Sequence, residues 1–309
     1  MADISIKNLC KDYYGVMCVF DLNLEVKDKT IAVIFGGVGS GKTTALKLIC
    51  GLEKKSSGEI LFDNTAAEVK LKRRDCAFVF SKPLLFNFKS VYDNLAYGLI
   101  LRRESKEKIN SLINNALALI NSEYLLKKKK WELTFDEKQL ICFIRAIIRK
   151  PDILLLDEPF FGIEFLEKFE KLQSYFSQTC IYATKKLDFA KRLNCHTVFL
   201  RDGQVLEQNA FTDIALHPKN IETAKLLQFN FFNSKIENSI AFEKESEQKF
   251  AINPENMSFK DKFKNKLICR FIYSDNELNK SICETFNQGF IVNDSAEYKS
   301  GEIINVYYT

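Results

Sequence analysis

The sequence predicts an α/β protein in which a sheet core is interrupted by a helical segment and followed by a small β-rich domain. Strand patterns alternate with helical patterns up to about residue 235, and a longer helical stretch separates two of the strands. Short alternating runs divided by polar turns fill the rest of the chain. We therefore predict one domain over residues 1–235, with a helical subdomain at about 82–150, and a second domain over residues 236–309.

The first elements have the patterns of strands and then of a helix. The runs "ISIKNL" and "LNLEV" alternate apolar and polar residues, which is typical of half-buried strands. By contrast, "TIAVIF" is apolar throughout and indicates a central strand that is covered on both faces. The run "KTTALKLICGL" follows a glycine-rich loop with helical spacing, and Gly51 is its predicted stop.

The middle of the chain is mainly helical. After the predicted strands "SGEILFD" and "CAFVF", apolar residues between Ile109 and Ile120 recur at helical spacing. We interpret the lysines 127–130 as the solvated end of this helix rather than as a binding patch. A further helix, "KQLICFIRAIIRK", should stop before Pro151. The runs "DILLLDEP", "TCIYAT" and "HTVFLRDGQVLEQ" then return to strands.

Composition excludes several classes of protein. Hydrophobic residues make up 46% and charged residues 28% of the chain, which excludes a wholly disordered protein. A net charge of +5 does not by itself indicate nucleic-acid binding. Nine cysteines without a C-x-x-C pair, beside two histidines, argue against zinc or a disulfide framework and favour a reducing compartment.

The start of the chain has no signal-peptide pattern, and no run approaches the roughly 18 apolar residues of a membrane span. We expect a cytosolic protein that reaches a membrane only through a partner, without inserting directly.

A phosphate-binding loop is the clearest functional motif. Gly36-x-x-x-x-Gly41-Lys42-Thr43 matches the P-loop pattern, in which backbone N–H groups surround phosphates, lysine reaches them and threonine binds Mg²⁺. The alternative is a chance match in a glycine-rich turn, but the loop lies between a predicted strand and a predicted helix, as the motif requires. The predicted nucleotide-binding residues are Gly36, Gly37, Val38, Gly39, Ser40, Gly41, Lys42, Thr43 and Thr44.

Two adjacent carboxylates form a second motif at the end of "ILLLDEP". Asp157 can hold the magnesium shell, and Glu158 can polarise an attacking water. Acidic residues at a strand end are often only turn formers. The P-loop elsewhere in the same chain favours the functional interpretation.

Beyond these motifs, residues 1 to about 235 resemble the ATP-binding subunit of an ABC transporter. The resemblance rests on the order of "KDYYG", "SVYDNLAYGL", "FIRAIIRKPDILLLDEP", "FLRDGQVLEQ" and "HPKNIETAKLLQF". The segment "AINPENMSF" resembles the start of the OB-like C-terminal domain in the sugar-importer (maltose-type) branch. The resemblance implies ATP and Mg²⁺ as cofactors, Tyr14 as the residue that stacks on adenine, and carbohydrate as the cargo. An ordinary core or surface tyrosine is the alternative for Tyr14.

The resemblance also implies partners and a location. Family members pair as dimers and work with transmembrane permease subunits at the cytoplasmic face of the membrane, where they are peripheral. The run "PLLFNFKSVYDNLAYGL" would form the groove for a permease helix, although it can equally be subdomain core. A soluble ATPase that acts on DNA or ribosomes is disfavoured, because the chain has no basic stripe, long coiled coil or second P-loop.

Several positions depart from the family pattern. The family's Leu-Ser-Gly-Gly-Gln signature, which binds the partner subunit's ATP, is replaced by "LTFDE" at residues 133–137. Phe135 and Asp136 cannot give the close backbone approach that glycine allows. Thr134 and Glu137 have the spacing of a capping box, so we predict that the helix satisfies its own first N–H groups.

Three more replacements lie elsewhere in the predicted site. Ser81 takes the place of a glutamine that bridges magnesium and the permease contact, and it is too short to do the same. Lys185 stands where the family has a catalytic histidine, and Glu164 stands at a loop aspartate. An ordinary surface lysine and loop glutamate are the alternatives for the last two. These losses predict a heterodimer with a second ATPase and slow hydrolysis, or alternatively a catalytically degenerate regulatory or assembly subunit.

Overall fold

A computed structural model describes residues 3–63, 65–66, 75–159 and 162–228, together with the strands given below for the rest of the chain. The chain divides into two compact units, Met1–Phe211 and Thr212–Thr309. The predicted domain boundary at 235/236 falls within residues 233–239, which lie outside the described residues. That boundary therefore stays a prediction.

The described residues of the first unit contain a ten-stranded sheet, in the order β5-β4-β1-β2-β10-β9-β3-β8-β7-β6. Strands β3, β6, β7, β8 and β9 pair in parallel, whereas β1 pairs antiparallel with β2 and β4. The strands are β1 (Ile4–Tyr13), β2 (Val16–Val26), β3 (Ile31–Phe35), β4 (Ser57–Phe62), β5 (Thr65–Ala66), β6 (Cys76–Val79), β7 (Ile153–Asp157), β8 (Thr179–Thr184), β9 (His196–Arg201) and β10 (Gln204–Ala210).

The apolar runs lie at the centre of this sheet. All residues of β7 and β8 are buried, and so are four of the five residues of β3. Helices pack against these strands and remove both faces from water, which is why the runs are apolar throughout rather than alternating. The predicted α/β core is confirmed.

Eight α-helices are described. The helix after the glycine-rich loop ends at Gly51, whose φ of 78° favours glycine, as predicted. The helical segment between β6 and β7 contains three of the helices. The helices are α1 (Lys42–Cys50), α2 (Val91–Leu101), α3 (Lys106–Leu119), α4 (Phe135–Ile147), α5 (Ile163–Phe176), α6 (Leu187–Leu193), α7 (Phe211–Leu216) and α8 (Ile221–Leu226).

The lysines 127–130 do not lie at the end of α3, so that prediction is wrong. The helix ends at Leu119, and Asn121 takes the left-handed conformation with a φ of 50°. Asparagine tolerates this conformation better than most residues, and it stops a helix there. Lys127 instead ends one short 3₁₀ segment, Glu123–Lys127, and Lys130 begins another, Lys130–Glu132.

The second unit contains the predicted β-rich region. One sheet has the order β11-β13-β12, and another has the order β14-β18-β15-β16-β17, with antiparallel pairing in both. The strands are β11 (Asn230–Phe232), β12 (Ile240–Lys244), β13 (Glu247–Ile252), β14 (Met257–Ser258), β15 (Asn265–Asp275), β16 (Lys280–Thr285), β17 (Gln288–Val292) and β18 (Ile303–Tyr308).

Candidate functional site

The glycine-rich loop connects the carboxyl end of β3 to α1, in the predicted strand, loop and helix order. Two of its glycines are required by their surroundings. A Cβ atom at Gly36 would lie 2.2 Å from the Leu200 carbonyl oxygen, and one at Gly41 would lie 2.4 Å from the Cys18 carbonyl oxygen. Gly41 also has a φ of 98°. The loop can therefore pack against β2 and β9 only if these positions lack side chains.

Lys42 lies at the start of α1 and folds back under the loop. Its side chain is 5% exposed, and its ammonium group donates to the carbonyl oxygens of Gly36 at 2.8 Å and Gly37 at 2.7 Å. The Ser40 hydroxyl oxygen lies 3.4 Å away. A buried cation costs free energy unless it is paired and hydrogen-bonded. These contacts supply that compensation and fix the position of the charge beneath the loop.

The amino terminus of α1 is open to a ligand. Gly41 is its N-cap and provides no side-chain hydrogen bond, in contrast to Ser90 of α2 and Ser105 of α3. The first N–H groups of a helix have no partner within it, and the helix dipole adds partial positive charge there. With Lys42 beside it, this terminus is suited to bind phosphate.

Thr43 and Asp157 lie together although they are far apart in sequence. The Thr43 hydroxyl donates to both carboxylate oxygens of Asp157, each at 2.9 Å. Burial raises the pKa of the Asp157 carboxyl, the Thr43 hydrogen bond acts to lower it, and the charge of Glu158 raises it further. A hydroxyl and a carboxylate are the hard oxygen ligands that Mg²⁺ prefers, so these two residues fit a magnesium site.

Glu158 follows directly and lies between two lysines. Its carboxylate oxygens lie 3.3 Å from the Lys42 nitrogen and 3.5 Å from the Lys185 nitrogen. Glu158 has a φ of 44°, in the left-handed region, and its N–H donates to the Ala183 carbonyl oxygen. Such a backbone conformation costs free energy and often occurs at functional sites. It directs the carboxylate toward the loop.

These residues line one cleft of about 470 Å³. The structure thus brings together the predicted loop, metal and catalytic residues, including Ser81 and Lys185. Gly36 and Gly37 contribute through their carbonyl contacts with Lys42. Cys18 also lines the cleft and was not predicted. The lining residues are Cys18, Val38, Gly39, Ser40, Gly41, Lys42, Thr43, Thr44, Ser81, Asp157, Glu158 and Lys185.

The two tyrosines before the loop have different environments. Tyr14 and Gly15 are the two turn residues between β1 and β2, with φ values of 53° and 86°, and the Tyr14 side chain is fully exposed. Tyr13 instead interacts with Glu53 and with Thr44 of α1. Burial and the Glu53 carboxylate raise the pKa of the Tyr13 hydroxyl. The adenine contact predicted for Tyr14 stays a prediction, and Tyr13, which sequence analysis did not single out, is the tyrosine that interacts with α1.

The predicted capping box at α4 is confirmed. The Thr134 hydroxyl accepts from the Glu137 N–H at 3.1 Å, and the Glu137 carboxylate accepts from the Thr134 N–H at 2.9 Å. Lys128 donates to the other Glu137 oxygen at 2.5 Å. The N–H groups that this terminus would offer to a ligand are therefore partly satisfied by its own side chains.

Comparison with known proteins agrees with this geometry. The family model described as ABC transporter matches residues 19–161. An osmoprotective-compound uptake ATP-binding protein of Synechocystis is 33% identical over 242 residues, which cover 75% of this chain and 67% of that protein. The sn-glycerol-3-phosphate import ATP-binding protein of Psychromonas ingrahamii is 31% identical over 249 residues, covering 77% and 67%.

A solved structure of an ABC transporter subunit has a similar fold. The cbiO1 chain from Clostridium perfringens, part of an ABC transporter complex, superposes with a TM-score of 0.63 at 26% identity. The match covers 72% of this chain and 94% of that one. With the P-loop, the Asp157–Thr43 pair and these relatives together, the chain belongs to the family of ABC transporter ATP-binding subunits.

Proposed function

We propose that this chain binds Mg²⁺-ATP in the cleft and couples that binding to solute import through transmembrane permease partners. The observation that carries the proposal is the cluster of Lys42, Thr43, Asp157 and Glu158 around the open end of α1. Both curated relatives described above are named for uptake or import. The proposal places the chain at the cytoplasmic face of the membrane as a peripheral subunit. Among the described helices, none has the length and hydropathy needed to cross a bilayer.

Each residue of the cluster has a specific part in this proposal. Lys42 and the N–H groups of the loop and α1 would hold the phosphates. Thr43 and Asp157 would hold Mg²⁺, which neutralises phosphate charge when bound. Glu158 would orient water and accept its proton at a carboxylate oxygen. Because Lys42 and Lys185 both contact this carboxylate, phosphate binding must draw Lys42 partly away from Glu158 before Glu158 can act as a base.

We propose a carbohydrate or similar small polar solute as the cargo. The support is the resemblance of "AINPENMSF" to the sugar-importer branch and the osmoprotective compounds named for one relative. Solute uptake assays with the assembled transporter would test the cargo directly.

A groove beside the helical segment is the proposed contact for the permease. A cleft of about 260 Å³ lies between β6, α2 and α4 and is lined by Phe86, Tyr97 and Leu101 on its apolar side. Arg145 and Arg149 line it as well. Arg149 already pairs with Asp75 at 3.1 Å, so the apolar wall with the Arg145 guanidinium suits a helix that presents hydrophobic residues and one carboxylate.

We further propose that the partner ATPase is a different chain. Asp136, in the first turn of α4, would face the partner's ATP in a closed dimer. A carboxylate at about 5 Å from a phosphate charge costs roughly 3 kcal/mol at an effective dielectric of about 20. The capping box also reduces the number of N–H groups that α4 can offer. A homodimer would contain these defects twice, whereas a heterodimer with an intact partner would contain them once.

A second candidate function is an ATP-binding regulatory or assembly subunit that does not hydrolyse ATP. The capping box that partly satisfies the amino terminus of α4 and the replacement of histidine by Lys185 favour it. Glu158, positioned at the cleft with Lys42, favours the hydrolysing function. Nucleotide affinity and turnover, measured on the same preparation, separate the two.

The first experiment compares Mg²⁺-ATP binding with hydrolysis for the purified chain. We expect measurable binding and slow turnover that does not rise cooperatively with protein concentration. Lys42→Ala should weaken binding about 10- to 150-fold, because charge-assisted hydrogen bonds are lost. Absence of binding by the folded chain would overturn the proposal, and rapid cooperative turnover would contradict the slow-hydrolysis and heterodimer proposals.

The second experiment identifies the partners. Purification from membranes under mild detergent should recover permease subunits and a second ATPase with an intact signature. Recovery of permease with two copies of this chain alone would contradict the heterodimer.

A further inference from the structure

Two loops of the helical segment bring several lysines together with exposed aromatic side chains. One loop contains Phe88 and Lys89, and the other contains residues 127–132, "KKKKWE". The Lys130 ammonium donates to the Asn87 side-chain oxygen and joins the loops. We call the surface formed by Phe88, Lys89, Lys127, Lys129, Lys130 and Trp131 the lysine-aromatic surface.

Its aromatic side chains are unusually exposed. Phe88 is 103% exposed and Trp131 is 77% exposed. The Lys129 nitrogen lies 5.1 Å from the centre of the Trp131 ring, so a cation and an aromatic face are presented side by side. Single exposed hydrophobic residues are common on soluble proteins, but two large aromatics among four lysines form a patch with defined chemistry.

The positive charge of this surface is largely uncompensated. Lys128 pairs with Glu137, but none of Lys89, Lys127, Lys129 and Lys130 forms a salt bridge with another residue in the part of the chain that the structure describes. Glu132 is the acidic residue within the second loop, and its carboxylate accepts from the backbone N–H of Lys129. The two loops of this surface therefore carry four such lysine charges and the one carboxylate charge of Glu132.

We propose that the lysine-aromatic surface contacts anionic phospholipid headgroups. Lysine clusters bind anionic bilayers electrostatically, and tryptophan rings favour the headgroup region because they combine apolar and polar parts. The cations are all lysines, whereas arginine is preferred where phosphates or bases are recognised by forked hydrogen bonds. This favours a diffuse anionic surface over a nucleic acid.

The position of the surface is consistent with this partner. Asn87, which Lys130 contacts, follows Phe86, and Phe86 lines the groove proposed above for the permease. Lipid contact would thus occur beside the permease contact. The inference itself needs neither nucleotide binding nor a particular cargo.

The chain contains one tryptophan, Trp131, which reports directly on this surface. The full chain is mixed with vesicles of phosphatidylcholine alone or of phosphatidylcholine with phosphatidylglycerol. With the anionic vesicles we expect co-sedimentation, a blue shift of Trp131 emission and protection of Trp131 from acrylamide quenching. With the phosphatidylcholine vesicles we expect none of the three. High salt should reverse all three effects, because it screens exposed charges.

Paired variants locate the contact. Each lysine near an anionic membrane contributes about fivefold to binding, so Lys127→Ala with Lys129→Ala should lower the partition coefficient roughly 25-fold. The control, Lys7→Ala with Lys171→Ala, removes the same charge from exposed positions elsewhere and should change it less than threefold. Thermal unfolding of both variants confirms that they are folded, and the single variant Lys89→Ala provides a milder test with an expected loss of about fivefold.

Several results would overturn the inference. These are no co-sedimentation with anionic vesicles, equal losses for the two double variants, or binding without a change in Trp131 emission. Preferential binding of a single-stranded oligonucleotide over the anionic vesicles would assign the surface to nucleic acid instead.

Discussion

Lys42 illustrates how one buried side chain organises the candidate site. Its ammonium group contacts two carbonyl oxygens of its own loop and lies 3.3 Å from Glu158. These internal contacts hold the loop in its curved shape. A preorganised site spends less binding free energy on ordering itself than a mobile one does.

The two neighbouring tyrosines give a prediction at the residue scale. We propose Tyr13, which interacts with Thr44 of α1, as an alternative to Tyr14 for the adenine contact, so Tyr13→Ala should weaken ATP binding about 5- to 150-fold through the loss of about 1–3 kcal/mol of base stacking. Tyr14→Ala is the matched control and should change the affinity less than twofold, since Tyr14 lies at the turn tip. Titration with a fluorescent ATP analogue measures both. A larger effect of Tyr14→Ala would support the adenine contact predicted for Tyr14 and contradict the one proposed for Tyr13.

Thr43 gives a second prediction at this scale. Thr43→Val keeps the shape of the side chain and removes the hydroxyl that contacts Asp157. We expect the gain in ATP affinity on adding Mg²⁺ to fall tenfold or more, while affinity in the presence of EDTA stays nearly unchanged. Calorimetric titration with and without Mg²⁺ checks this. An unchanged Mg²⁺ effect would show that Thr43 does not bind the metal.

At the scale of elements, α1 and α4 treat their amino termini in opposite ways. The N-cap of α1 is Gly41, without a side-chain hydrogen bond, so its N–H groups face the cleft. The N-cap of α4 is Thr134, which forms a reciprocal capping box with Glu137. The first backbone N–H groups of each helix lack hydrogen-bond partners within the helix. The α4 cap supplies part of these partners, whereas the α1 cap leaves the N–H groups available to a ligand.

The α4 capping box yields a prediction with a defined pH dependence. Burial acts to raise the pKa of Glu137, but the Lys128 and Thr134 hydrogen bonds outweigh it and the net pKa is lowered. The Glu137 carboxylate therefore stabilises the folded protein fully above the pKa of an unfolded glutamate, about 4.3. This stabilisation is lost as the pH falls through the lower pKa that Glu137 has in the folded protein. Glu137→Gln should lower the free energy of unfolding by about 1 kcal/mol at neutral pH.

Urea unfolding at several pH values measures this difference. The difference in the free energy of unfolding between the natural chain and Glu137→Gln should disappear in acid, where both side chains are neutral. Glu132→Gln serves as a control, because that carboxylate caps a short 3₁₀ segment and is exposed. A gap that stays constant down to acid pH would contradict the role of the Glu137 charge.

At the scale of the whole molecule, the two compact units should respond differently to nucleotide. The cleft lies entirely within the first unit, so Mg²⁺-ATP should stabilise that unit alone. At 100 times the dissociation constant the stabilisation is about 2.7 kcal/mol, and a unit of this size should unfold roughly 5–10 °C higher. Differential scanning calorimetry checks this, with Lys42→Ala as the control, which at the same ATP concentration should show about half of this shift or less because it binds ATP more weakly.

The proposed heterodimer also makes a prediction at this scale. The chain alone should remain monomeric in Mg²⁺-ATP, because Asp136 and the capped α4 terminus disfavour a second copy. Sedimentation velocity with Glu158→Gln, which prevents turnover from depleting ATP, is the measurement. An ATP-dependent dimer of the chain alone would contradict the proposal.

Local patterns in the sequence determined the strand, loop and helix order, the P-loop, the paired carboxylates and the α4 capping box. These depend on neighbours within a few residues, where spacing and backbone chemistry decide the outcome. The early end of α3 at Leu119 was missed because the apolar periodicity continues to Ile120, whereas the left-handed turn at Asn121 stops the helix.

Only the tertiary structure decided which distant groups meet. Parallel pairing of β3, β8 and β7 brings Thr43 to within 2.9 Å of Asp157, across 114 residues of chain. The same pairing places Glu158 between Lys42 and Lys185. The β1–β2 turn brings Tyr13, and not Tyr14, into contact with α1. No local pattern encodes such distances, because they depend on strand order and register, which the burial of the whole sheet sets.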